Sequence, residues 1–425
     1  MEVMHNHDTS PMPGNRNGKR LPAGARLAAV MLAAPLATLS APTLHAEDGV
    51  TESVIRVGGV MDLKGDSRGL GEGMRNGIQA AFKGVTVKGR RLEFTPLNDN
   101  YSPNKTIEST VKLLEEGVFI MLGNVGTPTA KVSLPILAEN NVPAVGFFTG
   151  AGILRPGVGD IINFRASYVQ ETAAVISSAL DAGLAATEIC AFVHNDAYGM
   201  AGVAGIKRAL IDQPGTEDII PLLDEMMAMK GASPPRNNIG PVGVYQRNTL
   251  YSRDGYDSLK RWEAAIGTTC RLVVSVGTYT AIARFAAYSR NKGNDWFVSA
   301  VSFTGADNFK AALNGFNVND RVVMTQVVPL LDSKLPIVME ARKALGSDFG
   351  YVSLEGYIVG KLFIAAVKNI QGPVTREGLL MAIRGKRFDI GGLKMDFARD
   401  NQGSDMVALT YLTEDGYRPL QRSDW

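Results

Sequence analysis

Residues 55–81 read IRVGGVMDLKGDSRGLGEGMRNGIQAA. The opening segment, Ile55–Met61, is a short apolar run broken only by Arg56 and two glycines, the length and make-up of a buried strand. A turn rich in Gly, Asp and Ser follows. Leu70, Met74, Ile78 and Ala81 then recur at the spacing that lines one face of a helix. This strand–turn–helix unit is the key to the chain because it repeats. Leu92–Leu97 reads as the next strand. Ile107, Val111 and Leu114 mark a helix that opens at Ser102-Pro103 and stops at Gly117. Phe119–Leu122 is a strand, Thr127-Pro128 a cap and first turn, and Ala144–Phe148 another strand.

The alternation resumes further on. Ser167, with Gln170 three residues later, predicts a capping box opening a helix through Val169, Ala173, Ile176 and Leu180. Ile189–His194 reads as a strand, Met200–Ile211 as a helix, Ile219–Leu223 as a strand. Asp224–Asp254, with Pro234-Pro235, Pro241 and several glycines and asparagines, reads as a long surface excursion. Leu259, Trp262 and Ile266 resume a helix, and Leu272–Val276, Ile282–Ser289 and Trp296–Val301 continue as strand, helix, strand. Strands alternating with helices imply parallel sheets covered on both faces, hence an α/β fold. Two such runs predict two similar lobes. Ligands of such sheets sit beyond the carboxyl ends of the strands. That points to the loops 62–68, 124–129, 147–152, 194–198, 277–279 and 302–305, rich in Gly, Thr, Tyr and Asn.

Composition narrows the function. At 425 residues and 45% hydrophobic content the chain is long for one domain and suits two. Forty-four basic residues against 42 acidic ones give +2, so no basic surplus calls for nucleic acid. At the N-terminus, Arg16, Lys19, Arg20 and Arg26 precede the uncharged apolar run Leu27–Leu39, and small residues and Pro42 lead to Leu44-His45-Ala46. This is the layout of a cleaved secretory signal, residues 1–46, and implies export to the periplasm. The run is shorter than the ~20 residues a membrane span needs. The two cysteines, Cys190 and Cys270, have an oxidising compartment in which to pair. Each also begins an apolar strand-like run, which suits a buried free thiol equally well.

Catalytic signals are few. Gly65-Asp66-Ser67-Arg68-Gly69 fits the G-x-S-x-G nucleophile pattern, but it follows the first strand of the mature chain. A hydrolase of that type needs several strands before its serine and a histidine after its acid. Once the signal is removed, only His194 is left. One histidine and two cysteines do not make a zinc site, and no phosphate-binding or dinucleotide loop occurs. The sequence therefore predicts no enzyme, no metal and no cofactor, with a Ser67 hydrolase as the remote alternative.

Several segments, in this order and spacing, resemble one family. They are Asn98-Asp99-Asn100-Tyr101-Ser102-Pro103, Leu122-Gly123-Asn124-Val125-Gly126-Thr127-Pro128-Thr129, Phe148-Thr149-Gly150-Ala151, Phe164-Arg165-Ala166-Ser167-Tyr168, Asn195-Asp196-Ala197-Tyr198-Gly199, Gln326-Val327-Val328-Pro329 and Glu355-Gly356-Tyr357. The chain resembles, from about Val54 to Tyr417, the leucine/isoleucine/valine-binding periplasmic proteins of branched-chain amino-acid ABC importers. The resemblance implies the type I periplasmic-binding-protein fold, two Rossmann-like lobes joined by a three-strand hinge. Lobe one falls at 50–166 and 326–388, and lobe two at 167–325 and 389–425. It implies hinge closure on a small-molecule ligand, then docking of a monomeric chain on an ABC permease in the inner membrane. A ligand-sensing periplasmic receptor is the alternative within the fold.

By position, Thr127 and Thr129 match hydroxyl residues that hold a ligand carboxylate. The backbone around Phe148, Thr149 and Gly150 matches amide donors beside them, and Tyr198 and Tyr279 match aromatics that cover the ligand. Capping would equally explain Thr127, and packing would explain the two tyrosines. Three departures stand out. Ser302 falls where amino-acid binders carry the acid that answers the ligand ammonium, and a buried ammonium without a charged partner is costly. Phe147 and Phe148 stand where small residues are common, which favours a flat or apolar ligand body. Asn98 replaces an Asp. A ligand with a carboxylate or similar acceptor group, such as an aromatic acid, an amide or another apolar-bodied small molecule, is therefore expected at least as much as leucine.

Overall fold

The computed structural model describes residues 47–425 except Ala232, and the proposed signal at residues 1–46 lies outside them. In chain order come β1 (Val54–Met61), α1 (Arg68–Phe82), β2 (Thr86–Val87), β3 (Arg90–Asn98), α2 (Pro103–Glu115), β4 (Ile120–Leu122), α3 (Thr127–Glu139), β5 (Ala144–Val145) and β6 (Ile161–Ile162). The second run holds α4 (Tyr168–Asp181), β7 (Ile189–His194), α5 (Ala197–Leu210), α6 (Ile219–Ala228), β8 (Val242–Tyr245), α7 (Arg253–Ile266), β9 (Leu272–Val276), α8 (Tyr279–Asn291), β10 (Phe297–Ala300), α9 (Ala306–Asn314) and β11 (Val322–Gln326). The chain ends with α10 (Pro336–Leu345), α11 (Tyr351–Asn369), α12 (Arg376–Ile383), β12 (Arg387–Ile390), β13 (Leu393–Asp396), β14 (Ala408–Thr413) and β15 (Gly416–Pro419).

The first sheet runs β2-β3-β1-β4-β5-β6, parallel except for β2. The second runs β15-β14-β11-β10-β9-β7-β8, with β14 and β15 antiparallel at one edge. In each sheet the strand order reverses once, beside β1 in the first and beside β7 in the second. Such switch points leave a crevice at the carboxyl ends of the strands.

Hydrophobic spacing explains α1, but not α2, whose Ile107 and Val111 are exposed while Thr106, Thr110 and Leu113 are buried. Leu70, Met74, Ile78 and Ala81 are all buried on α1. Gly77 lets α1 and α11 approach closely, since a Cβ there would fall 2.2 Å from Ser353 O. The capping box at Ser167 and Gln170 forms as the sequence predicts. Two expectations fail. Ile219–Leu223 is the start of a helix, not a strand. Ile219, Leu223 and Met226 are its buried face, and Pro221 fits a first turn, where no amide is needed. The expected excursion at 224–254 contains the rest of α6 and the fully buried β8, which pairs parallel with β7. Four residues between Pro241 and Gln246 are too few to show a period. Cys190 and Cys270, left open by the sequence, form a disulfide between the starts of neighbouring strands β7 and β9.

The segments that join the two sheets are tied to one another. Asn163 N donates to Asn401 O at 2.7 Å, and Gly403 N donates back to Asn163 O at 2.9 Å. Arg155 donates to Gln402 Oε1 at 2.6 Å and to Arg165 O at 2.8 Å. Among the described residues, no helix is long and apolar enough to cross a membrane.

Candidate ligand-binding site

The carboxyl ends of β1, β4, β7 and β9 face one another, and the chain places hydroxyls and rings between them. Thr127 is the first residue of α3, and Gly126 before it has a φ of 111°, which favours glycine. A Cβ at Gly126 would also strike the Tyr101 ring at 2.3 Å. The free amides of a helix start and its dipole suit an anion. Thr127 Oγ1 lies 2.6 Å from Thr149 Oγ1, both fully buried. The structure thus pairs the Thr127 hydroxyl with that of Thr149, expected only for its backbone amide, rather than with Thr129. Thr129 is buried beside them, but its hydroxyl donates to Val125 O at 2.7 Å, so it offers only its lone pairs.

The two phenylalanines separate. Phe148 packs 5.2 Å from Phe303, within the ring cluster, whereas Phe147 is buried without a ring partner there. Tyr198 is in the cluster, 4.7 Å from Phe303 and 5.2 Å from Tyr168, and its hydroxyl donates to Gly277 O at 3.3 Å. Tyr279 is not. It is half-buried, and its hydroxyl lies against the Gly69 backbone at the start of α1. Burial raises the pKa of Tyr101, Tyr168, Tyr198 and Tyr245 above the ordinary phenol value, so all four remain protonated.

Ser302 proves to be part of an ionic cluster. Its amide donates to Glu171 Oε2 at 2.7 Å, and its hydroxyl accepts from Arg165. Arg165 also lies 3.4 Å from Glu171 and 3.7 Å from Glu355, and stacks on Phe148 at 4.7 Å. Thr325 donates to Glu171 as well. Burial alone would lower the Arg165 pKa, but Glu355 and Glu171 hold it above the ordinary value. Burial pushes Glu355 up to about 7, with Arg165 opposing and Glu171 adding to the rise. The acids nearest Ser302 are therefore engaged by an internal cation.

Ser67, the remote nucleophile candidate, is buried, and its amide donates to Asp62 Oδ2 at 2.9 Å. Asp62 also accepts from Lys64 N at 3.1 Å and Gly65 N at 2.6 Å, so the Gly-rich segment is a turn organised on one carboxylate. No cluster of three or more potential metal ligands occurs among the described residues.

Sequence reasoning missed Tyr101, Tyr168, His194 and Phe303 as ring partners, and Arg165 and Glu171 as an ion pair. Tyr101, Arg165 and Tyr168 lay inside segments that carried the family resemblance, but no residue spacing linked them. An open crevice of about 740 Å3 is lined by Asn76, Phe82, Lys83, Phe94 and Asp348 on the outer side of the first sheet. It lies away from the hydroxyls and rings that converge at the switch points.

Two α/β lobes meeting at their switch points around buried hydroxyls and rings define a two-lobed binding protein. Comparison agrees. Residues 54–221 match the family model described as a periplasmic binding protein. No curated protein matches the chain. A solved structure of a possible leucine/isoleucine/valine-binding protein from Rhodopirellula baltica SH 1 shares 33% identity at a TM-score of 0.76, covering 88% of this chain and 98% of that one. An R. palustris ABC-transporter solute-binding protein in complex with benzoate shares 17% identity at a TM-score of 0.69, covering 87% and 96%. Another from R. palustris, in complex with 4-hydroxybenzoate, shares 14% at 0.67, covering 87% and 96%. The chain belongs to the periplasmic binding proteins of the leucine/isoleucine/valine-binding type, a family that binds small molecules and is not enzymatic.

Proposed function

We propose that the chain is the extracytoplasmic binding subunit of an ABC importer, specific for a small carboxylic acid with an apolar or aromatic body. The observation that carries this reading is the Thr127–Thr149 hydroxyl pair at the start of α3, facing an enclosure of rings. The pair and the helix amides suit a carboxylate, and the rings suit a flat body. An α-ammonium would lack an answering charge, because Glu171 and Glu355 are taken by Arg165. The benzoate and 4-hydroxybenzoate complexes of related folds support the same ligand class. On this reading residues 1–46 direct export, a single chain works in the periplasm, and the lobes (50–166 with 326–388, and 167–325 with 389–425) hinge on the tied crossovers. Closure then presents one shape to a membrane permease.

Calorimetry on purified protein freed of ligand tests it, with benzoate, leucine and valine as probes. Benzoate binding tighter than leucine by at least about tenfold is the expected result, and Thr149→Val should weaken benzoate about 10- to 100-fold by removing a hydrogen bond to a charge. Tight leucine binding with weak benzoate binding would overturn the reading.

A further inference from the structure

Beside the start of α3, where a Cβ at Gly126 would strike the Tyr101 ring at 2.3 Å, two buried polar side chains from the two sheets stack on each other. Tyr101 follows β3, and its backbone sits at φ 53°, a left-handed conformation that a bulky aromatic residue rarely adopts. Asp99 Oδ1 holds it there, accepting from Tyr101 N at 2.8 Å. Such strain concentrates at functional sites. Its hydroxyl is fully buried and has no hydrogen-bond partner among the described residues. His194 ends β7 in the other sheet, and its ring lies 6.2 Å from the Tyr101 ring at an interplanar angle of 20°. Both of its nitrogens are buried without a hydrogen-bond partner among the described residues. Nδ1 lies 3.1 Å from Asp196 Oδ1, outside hydrogen-bond alignment, and Asp196 is anchored in turn by Arg247 at 3.2 Å and by Tyr198 N at 2.9 Å. His194 Nε2 and the Tyr101 hydroxyl are thus two buried polar atoms with no protein partner among the described residues.

We propose that Tyr101 and His194 form a polar pole of the cleft, which selects acids bearing a second polar group, such as a phenolic hydroxyl, besides the carboxylate. That second group hydrogen-bonds to His194 Nε2 and to the Tyr101 hydroxyl. Buried polar groups discriminate strongly against ligands that leave them unmatched. This inference rests on the carboxylic-acid reading of the site.

Titration calorimetry with benzoate, 3-hydroxybenzoate and 4-hydroxybenzoate tests it. The wild-type protein should bind at least one hydroxybenzoate about tenfold more tightly than benzoate. Tyr101→Phe and His194→Phe, each shown by thermal melting to be folded, should remove most of that preference, weakening the preferred hydroxybenzoate several-fold more than benzoate. Equal wild-type affinity for benzoate and both hydroxybenzoates overturns this inference alone. Equal weakening of benzoate and hydroxybenzoates in both variants also overturns it, since packing then explains both residues. If none of the three acids binds, the carboxylic-acid reading fails and takes this one with it.

Discussion

At Ser302 the local charge is settled internally, by Arg165. One guanidinium stands against Glu171 and Glu355, and the second acid accommodates this by holding its proton, with a pKa raised to about 7 from an ordinary 4.5. A folded-state pKa raised in this way contributes stability at low pH and loses it as pH climbs toward the folded value. At pH 4 wild type and Glu355→Gln both carry a neutral group there. Between about pH 4.5 and 7 the unfolded wild-type chain gives up a proton that the folded chain keeps. Urea unfolding should then show Glu355→Gln gaining on wild type by up to about 3 kcal/mol near pH 7, with the gap closing at pH 4. A gap independent of pH would show that Glu355 titrates normally. Thr127 and Thr149 could be named as candidates from the sequence because each follows a strand in a segment shared with a known family. Glu171, Glu355 and Arg165 could not be paired, because their meeting depends on how α4, α11 and the crossovers fold back. No local pattern encodes that.

Among the elements, legibility followed length. The long amphipathic helices and the apolar strands β7 and β9 could be read directly, since a period needs several residues to declare itself. The four-residue β8 gave no period, and Ile219–Leu223 was read as a strand because a short apolar run suits either state. The disulfide belongs to this scale. It links β7 and β9, which already pair, so its removal should leave the sheet intact. In the chain-entropy account, freeing a loop with a sequence separation of 80 destabilises by about 4 kcal/mol. Cys190→Ala with Cys270→Ala should lower the urea midpoint accordingly while the far-ultraviolet circular dichroism of the folded protein stays the same. An unchanged midpoint would contradict a bonded pair.

Across the whole molecule, Phe303 is one of the rings that join the two sheets. It comes from the second sheet and packs 5.2 Å from Phe148 and 6.3 Å from Tyr101, both on loops of the first. Burying a phenylalanine side chain is worth about 1.5–3 kcal/mol, enough to tilt an open–closed balance. Phe303→Ala should therefore enlarge the radius of gyration of the ligand-free protein in small-angle X-ray scattering, and an unchanged profile would assign closure to other contacts. The close approach of α1 and α11 at Gly77 has a different reach, in time. The apolar face of α1 is covered by a helix that starts roughly 270 residues later, from Phe82 to Tyr351. At the usual pace of synthesis that interval lasts about 15 to 50 s. Throughout it the first lobe lacks its lid of helix and presents Leu70, Met74 and Ile78 to whatever binds nascent chains. A protein wired this way cannot complete its first lobe until its last quarter is made, which fits the proposed export of the chain by residues 1–46.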